Sequence, residues 1–211
     1  MIDVLRSIYQ YCDDHSKGLD PVLSELERTT HLETANPRML SGYLQGLFLQ
    51  TISVLKKPLN ILELGTFTGY SAICLAKGLG ENGKLITIDN NAETLAIAKK
   101  YFTKAGLNTK IEIIQGDAVQ VVSGLDISFD IAFIDADKEN YLLYYHLIKP
   151  KMNKGGLIIL DNMLWSGKVL EENKDAKTKA LDNLNTFIQE DKDVQNLLLP
   201  LRDGLHIVTV L

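Results

Sequence analysis

From residue 60 onward, short apolar segments alternate with longer segments of helical character, and this alternation limits the possible folds most strongly. The predicted strands are 60–65, 85–89, 111–116, 129–135 and 156–161. The predicted helices are 70–79, 91–106, 138–151 and 175–190. Strand segments such as ILEL and LIIL are continuous apolar runs, as expected where both sheet faces are covered. The pattern predicts βαβ units and a parallel sheet in an α/β fold.

The C-terminal segment departs from this alternation. VQNLLLP (194–200) and GLHIVTVL (204–211) are strand-like, and only Leu201, Arg202 and Asp203 separate them. Parallel strands need a long crossover, so this pair is predicted to be an antiparallel hairpin. The complete prediction is a doubly wound, mostly parallel seven-stranded sheet that ends in an antiparallel hairpin. This architecture resembles the class I methyltransferase fold rather than a nicotinamide dehydrogenase domain.

The first third of the chain is predicted to be helical, because apolar residues recur there at helical spacing. A helix over 19–33 is expected to have Asp20 as its N-cap and Pro21 at its first position. The segment MLSGYLQGLFLQTISVL (39–55) is predicted to be a further apolar helix. Its two glycines, four residues apart, predict close helix packing or room for a ligand.

The composition is that of an ordinary globular protein. Of 211 residues, 45% are hydrophobic and 23% charged, and the formal net charge is −5. The length suits one domain, for which we expect a helical cap over 1–57 and an α/β core over 58–211. The acidic balance disfavours a nucleic-acid partner without excluding one. No secretory signal or membrane-spanning stretch is visible, so a cytoplasmic protein without a membrane partner is expected.

The segment ILELGTFTGYS (61–71) places two glycines between a strand and a helix. In an open α/β sheet, ligands bind beyond the carboxyl ends of the strands. Gly65 and Gly69 allow a ligand to approach the backbone, and the new helix offers free N–H groups. Phe67 occupies the middle position, where the dinucleotide motif G-x-G-x-x-G requires glycine. The turn therefore predicts a cofactor other than NAD or FAD.

Two acidic residues beside this turn indicate S-adenosylmethionine. Glu63 lies in an otherwise apolar strand, where an unpaired carboxylate is costly, and the cofactor's amine supplies a cation. Asp89 ends the second strand, twenty residues after Gly69, where an acid accepts hydrogen bonds from ribose hydroxyls. Asp117, after the third strand, is predicted either to contact the cofactor or to cap the next helix. Ser71 is predicted either to bond the cofactor's carboxylate or to start its helix.

Acidic residues also follow the next two strands. The fourth strand ends in FIDADKENY (133–141) and the fifth in LDNMLWSG (160–167). Adjacent strand ends are expected to bring Asp135, Asp161 and Asn162 together. Three oxygen ligands, two of them charged, suit Mg²⁺, Mn²⁺ or Ca²⁺. Each aspartate alone also fits an acid that caps a helix or faces water, but the two motifs together favour a divalent-metal site.

In combination, ELGTFTGYS, IDN, GDA, DADKENY and DNMLWSG resemble the successive motifs of the metal-dependent catechol and caffeoyl-CoA type O-methyltransferases. PRMLSGYLQG (37–46) resembles the N-terminal helix of that family in its bacterial form. The resemblance implies transfer of a methyl group from S-adenosylmethionine to a hydroxyl of a small catechol-like or phenolic acceptor. It also implies a divalent cation and a homodimer. Leu47 and Ser166 depart from residues that relatives often carry, which leaves the acceptor open.

The resemblance further implies roles for individual residues. It places metal ligands at Asp135, Asp161 and Asn162, and a general base at Lys138 beside Asp135 in the catalytic group. It implies cofactor contacts at Ser41, Glu63, Gly65, Thr66, Ser71, Asp89, Ala118, Asp135 and Asp137. The acceptor is expected to border Met39, Trp165 and Ser166.

Other functions remain open from the sequence. The same chemistry acting on a hydroxylated uridine in tRNA is compatible with the motifs, and Lys56-Lys57 and Lys99-Lys100 would then form local basic patches. A non-catalytic cofactor-binding protein is a further alternative. A nicotinamide-dependent oxidoreductase is disfavoured by Phe67 and by the final hairpin.

Overall fold

The computed structural model describes residues 2–211; Met1, part of the predicted cap, and the side chains at positions 2, 3, 5 and 6 lie outside that description. The helices are α1 Ile2–Asp14, α2 Pro21–Glu33, α3 Tyr43–Lys56, α4 Tyr70–Ala76, α5 Ala92–Lys104, α6 Ala118–Gly124, α7 Tyr141–Ile148 and α8 Ala176–Glu190. The strands are β1 Asn60–Leu64, β2 Lys84–Asp89, β3 Ile111–Gln115, β4 Phe129–Ile134, β5 Met152–Leu160, β6 Val194–Leu199 and β7 Leu205–Val210. Short 3-10 segments occur at Pro37–Met39, Lys138–Asn140, Lys149–Lys151 and Trp165–Leu170.

The seven strands form a single sheet in the order β3-β2-β1-β4-β5-β7-β6. Strands β1 to β5 are parallel, whereas β7 is antiparallel to both β5 and β6. The prediction of a mostly parallel sheet with a C-terminal antiparallel hairpin is confirmed. The chain runs outward from β1 to β3 and then returns to β4, beside β1. This reversal of direction creates a crevice beyond the carboxyl ends of the central strands.

Helices cover both faces of the sheet, which explains the continuous apolar runs in the sequence. Alternate strand residues such as Ile61 and Ile131 pack with α2, α3, α4 and α5 on one face. Their neighbours, such as Leu62 and Ala132, pack with α6, α7 and α8 on the other. Because successive side chains point to opposite faces, each central strand must be apolar at nearly every position.

The N-terminal helices share the first of these cores. Asp20 caps α2 as predicted, since its side chain accepts a hydrogen bond from the Val22 amide. A Cβ at Gly46 would lie 2.7 Å from the Tyr70 ring and 2.9 Å from Cys74 Sγ, so α3 packs closely on α4. The predicted division at residue 57 stays a prediction. Within 2–211, no helix is long and apolar enough to cross a membrane.

Three local predictions differ from the structure. The helix predicted over 39–55 begins only at Tyr43, because Gly42 has a φ of 76° and ψ of 177° and interrupts the helix. The short helix α6 was not among the predicted helices; only Val122 of its residues is buried, which leaves little apolar periodicity. Strand β5 begins at Met152 rather than residue 156, with a register irregularity opposite Phe129 and Ile131.

Candidate active site

A cavity of about 640 Å³ lies beyond the carboxyl ends of the parallel strands. This volume is within the range of small-molecule sites. Each parallel strand contributes a residue to the wall, at or directly after its end: Gly65, Asp89, Gly116, Asp135 and Asp161. The crevice predicted from the strand pattern is therefore a real cavity, and most of the predicted site residues line it.

The turn after β1 is held close to the neighbouring strand end. Gly65 has a φ of 94°, and a Cβ there would lie 2.0 Å from the Asp135 carbonyl oxygen, so a side chain is excluded. The Phe67 amide donates to Asp89 Oδ2 at 2.8 Å, and the Asn91 amide donates to Oδ1 at 2.9 Å. These two hydrogen bonds fix the Asp89 carboxylate at the cavity wall, and the one from Phe67 holds the turn after β1 close to the end of β2.

Three predicted cofactor residues, Glu63, Thr66 and Ser71, are buried around the turn and do not line the cavity. Thr87 Oγ1 donates to Glu63 Oε2 at 2.5 Å, whereas Glu63 Oε1 has no hydrogen-bond partner. Thr66 Oγ1 lies 2.5 Å from Thr87 Oγ1 and extends this network. Burial raises the pKa of Glu63 to about 8, because the nearby Ser71 and Thr87 hydroxyls offset only part of the lost hydration. One oxygen of this acid, Oε1, thus lacks a hydrogen-bond donor or a cation.

The ends of β4 and β5 bring two acids together. Ile134 is paired with Leu160 in the sheet, so the following residues, Asp135 and Asp161, lie side by side. Asp161 is only 4% exposed, and its Oδ1 accepts the Asn162 amide at 2.6 Å. Burial, reinforced by the negative charge of Asp135, raises the pKa of Asp161 to about 6. The predicted cluster is therefore assembled, with a surplus of negative charge.

Lys138 folds back onto this cluster through the 3-10 segment Lys138–Asn140. Its Nζ donates to Asp135 Oδ1 at 2.8 Å and to the Tyr141 hydroxyl at 2.6 Å. The Tyr141 hydroxyl lies 3.2 Å from the Asp161 carbonyl oxygen and 3.1 Å from that of Ile134. Tyr141 is almost completely buried, so it anchors Lys138 between the two strand ends.

A second group of predicted residues lines the wall near β3 and α6. Asp117 accepts the Gln120 amide at 2.9 Å and thereby caps α6, and it also lines the cavity beside Ala118. The two alternatives left open for Asp117 are therefore compatible. Asp137 accepts hydrogen bonds of 2.5 Å from the Tyr144 hydroxyl and from Asn140 Nδ2.

The residues predicted to border the acceptor are divided. Met39, which is 59% exposed, and Trp165 line the cavity. Ser166 is exposed but is not part of the wall. Ser41, which was predicted as a cofactor contact, is buried outside the wall. The loop that follows β5 is unusual because Asn162, Trp165 and Ser166 have positive φ values of 61°, 48° and 55°. Such a cluster of left-handed non-glycine residues requires external support.

The β6–β7 hairpin loop supplies this support. Asp203 accepts hydrogen bonds from the Ser166 amide and, at 3.4 Å, from Asn162 Nδ2. The Met163 amide also donates to the Gly204 carbonyl at 3.0 Å. The C-terminal hairpin thus holds the loop that carries the predicted ligand Asn162.

Several wall residues were not assigned a role from the sequence: Asn36, Arg38, Gln45, Asn90, Tyr144, Arg202 and Asp203. Gln45 Nε2 donates to Asp161 Oδ2 at 2.6 Å. The only sequence signal for Gln45 was an amide inside an apolar helix. Arg202 and Asp203 had no signal, because they lie in a hairpin loop whose position over β5 depends on the fold.

The strand order, the turn after β1 and the acids after β2, β4 and β5 together define an S-adenosylmethionine-dependent methyltransferase of class I. A family model described as O-methyltransferase matches residues 13–211, and the chain belongs to this family. The predicted enzyme class, an O-methyltransferase that uses S-adenosylmethionine, is thereby confirmed.

Relatives from several organisms agree with this assignment. A catechol O-methyltransferase from Niastella koreensis is 41% identical over 175 residues, covering 81% of this chain and 78% of the relative. A flavonoid 3',5'-methyltransferase from Vitis vinifera is 34% identical, with 77% and 75% covered.

Solved structures show the same fold. The O-methyltransferase of Bacillus cereus in complex with SAH has a TM-score of 0.91 and 28% identity, with both chains completely covered. The O-methyltransferase TomG of Streptomyces achromogenes, in complex with S-adenosylmethionine, has a TM-score of 0.90 and 26% identity, with 97% and 96% covered. The roles of individual residues in this chain stay predictions.

Proposed function

We propose that this protein methylates a hydroxyl group of a small catechol-like or phenolic molecule, with a divalent cation held by Asp135, Asp161 and Asn162. The observation that carries the proposal is that Asp135 and Asp161 lie side by side after adjacent strands, with Lys138 bound to Asp135. These residues line the same cavity as Gly65 of the turn after β1. Relatives named as catechol, flavonoid and caffeoyl-CoA methyltransferases support this class of acceptor.

The donor set fits a hard divalent cation such as Mg²⁺. Among the side chains that the structure describes, no group of three His, Cys, Asp or Glu residues is suited to a metal ion. The proposed set instead combines two carboxylates with the amide of Asn162, and oxygen ligands of this kind suit Mg²⁺, Mn²⁺ or Ca²⁺. Burial and the negative charge of Asp135 raise the pKa of Asp161, and a bound divalent cation would offset both effects, which supports the fit.

When bound, the cation orients neighbouring hydroxyls of the acceptor and makes the reacting one more acidic. In this proposal Lys138, as the neutral amine, accepts the proton of that hydroxyl at Nζ and becomes an ammonium, while Tyr141 holds the Lys138 side chain in place. The oxygen then attacks the methyl carbon of the sulfonium, the carbon–sulfur bond breaks, and its electron pair stays on sulfur. Positive donor and anionic acceptor lose their charges together, which a water-poor cavity favours.

The cofactor is proposed to lie along the other half of the wall. The fixed carboxylate of Asp89 is placed to accept hydrogen bonds from the ribose. The unpaired Oε1 of Glu63 supports an amine near the β1 turn, reached directly or through an ordered water. The remaining volume near Met39 and Trp165 is proposed for the acceptor.

The charge and position of basic residues favour a small acceptor over tRNA. The wall carries six acidic side chains against three basic ones, Arg38, Lys138 and Arg202, so its net negative charge would repel a phosphate backbone; the acids are Asp89, Asp117, Asp135, Asp137, Asp161 and Asp203. Lys56 Nζ donates to the Gly155 carbonyl near the start of β5. This is the amino end of the strand, whereas the cavity lies beyond the carboxyl end. The Lys56-Lys57 pair is therefore badly placed to guide RNA to the site.

The predicted homodimer also stays a proposal. Val4, Ile8 and Tyr11 leave an exposed apolar surface on α1, which is compatible with a self-contact. Light scattering of the purified protein at several concentrations tests it.

An acceptor screen tests the proposed function. Labelled S-adenosylmethionine and Mg²⁺ are incubated with the protein and with catechols, hydroxycinnamoyl thioesters, flavonoids or bulk tRNA that carries hydroxylated uridine. We expect label in at least one phenolic acceptor and none in tRNA. Label in tRNA alone would replace the small-acceptor proposal with the RNA alternative, and label in no acceptor would revive the non-catalytic alternative.

A further inference from the structure

Two buried side chains on the inner face of α3 are polar: Ser53, which donates to the Leu75 carbonyl at 2.6 Å, and Gln45. Gln45, Leu49 and Ser53 follow each other at intervals of four residues, and all three are 0% exposed. Such a stripe faces the protein interior, where a leucine would be the usual residue. An amide buried there is costly unless a polar partner requires it.

The partner of Gln45 is Asp161, on an element 116 residues away in the chain. Gln45 Nε2 donates to Asp161 Oδ2 at 2.6 Å, and the Asn162 amide donates to the other carboxylate oxygen, Oδ1. The carboxylate is therefore held at both oxygens, once by its own loop and once by α3. A hydrogen bond to a charged group in a buried position is stronger than one between neutral groups.

The other end of the same amide is left without a partner. Gln45 Oε1 is buried and makes no hydrogen bond. An unsatisfied buried carbonyl is destabilising, so the side chain is not arranged for stability alone. Its orientation instead keeps the Nε2 donor on Asp161, at the floor of the cavity that Gln45 lines.

The helix is fixed where it presents this side chain. Gly46 packs against Tyr70 and Cys74 without room for a Cβ, which sets the distance between α3 and α4. Arg202 Nη1 donates to the Leu40 carbonyl at 2.8 Å, just before the helix begins. Gln45 is therefore held on rigid backbone, as a group that positions another residue must be.

We propose that Gln45 is a positioning residue that orients the Asp161 carboxylate for the divalent cation and, through it, for the acceptor. This inference rests on the proposed function. Groups that hydrogen-bond a metal ligand typically change metal affinity or activity by about 10- to 100-fold when they are removed. The effect of Gln45 is expected at the cation and acceptor end of the cavity and not at the cofactor turn, to which it makes no hydrogen bond.

The test compares Gln45→Met, which keeps the length of the side chain without its donor, with Gln45→Asn, which keeps an amide too short to reach Asp161. Gln50→Met is the matched control, because Gln50 lies on the same helix and its Nε2 donates to the Gly18 carbonyl. For each protein, Mn²⁺ binding is measured by electron paramagnetic resonance with S-adenosylhomocysteine present. The affinity for S-adenosylhomocysteine and steady-state kinetics with a catechol acceptor are measured as well.

We expect both Gln45 variants to bind Mn²⁺ about tenfold more weakly and to have a higher KM for the acceptor, with S-adenosylhomocysteine affinity within twofold of wild type. Gln50→Met should match wild type in all three. Equal losses of Mn²⁺ and S-adenosylhomocysteine affinity would indicate a merely structural role and overturn the inference. Mn²⁺ bound equally well by wild type and both Gln45 variants would overturn the role of Gln45 alone. A wild type that binds no Mn²⁺ would overturn the proposed metal site together with it.

If Gln45→Met proves unfolded by circular dichroism, Gln45→Asn alone decides. It retains a polar amide and removes only one methylene group from the side chain. A folded Gln45→Asn variant with wild-type Mn²⁺ affinity and acceptor KM contradicts the inference.

Discussion

Lys138 Nζ lies 2.8 Å from Asp135 Oδ1. The tight turn formed by the DADK motif, directly after β4, brings these two side chains together. The Tyr141 hydroxyl, 2.6 Å from the same Nζ, leaves Lys138 little freedom to move away. A lysine amine that is held in place at a buried strand end, rather than mobile in solvent, is suited to exchange a proton with an acceptor hydroxyl.

The Lys138→Met variant tests this role. We expect kcat to fall by about 100-fold or more, because general bases typically contribute factors of 10² to 10⁴. S-adenosylhomocysteine affinity should stay within a few-fold of wild type, as measured by calorimetry. Lys192→Met, an exposed lysine in the turn before β6, is the matched control. A Lys138→Met enzyme with more than a third of the wild-type kcat would rule out the proton transfer.

Binding of the cofactor product should release protons if Glu63 faces an amine. With its pKa raised to about 8, Glu63 is mostly protonated at pH 7 in the unliganded protein. A cation favours the ionised form, so the bound state should lose roughly 0.5 to 1 proton at this position. Calorimetric titration of S-adenosylhomocysteine in buffers with different ionisation enthalpies measures the number. Glu63→Gln should release fewer protons; equal release by both proteins speaks against the contact.

Glu63 should also influence how stability depends on pH. Its folded pKa is above its unfolded value, so the folded state binds more protons and the free energy of unfolding decreases as pH rises from about 4.5 through 8. Glu63→Gln removes this contribution. Between pH 5 and pH 8, the unliganded variant should lose on the order of 3–4 kcal/mol less stability than wild type in urea unfolding. An identical pH dependence would show that Glu63 ionises normally.

His206 should make the free energy of unfolding depend on pH in the opposite direction. It is 2% exposed on β7, with Nδ1 2.8 Å from Asn185 Oδ1 and no partner at Nε2, and burial lowers its pKa to about 4. The unfolded chain then binds the proton more strongly, so stability is lost as pH falls through about 6.5 towards 4. His206→Gln should lose roughly 2 kcal/mol less than wild type between pH 7 and pH 5. Matching curves from urea unfolding would contradict the buried neutral form.

The order of elements was predictable because it depends on local patterns. Apolar runs placed the strands, and caps such as Asp20 marked helix starts. The start of α3 was predicted four residues early, since apolar spacing does not reveal that Gly42 adopts a non-helical backbone conformation. Helix α6 escaped prediction because it is short and only Val122 of its seven residues is fully buried.

The site was predictable only where the chain itself brings residues together. Asp135 and Lys138 share one motif, and Asp161 and Asn162 share another, so strand ends in register were enough to unite them. Gln45 and Asp203 reach the same cavity from α3 and the β6–β7 loop, and sequence separation hides such contacts. A polar residue in an apolar element is a usable signal: it identified Glu63 from the sequence, and it identifies Gln45 only in retrospect.

The proposed reaction depends most on a divalent cation that makes an acceptor hydroxyl more acidic before methyl transfer. The most direct measurement is the rate of methylation of a catechol acceptor by protein that has been treated with EDTA and dialysed, before and after addition of Mg²⁺. We expect turnover to fall at least 100-fold without the cation and to return when Mg²⁺ is restored. Full turnover by protein shown to be metal-free would contradict the proposed reaction.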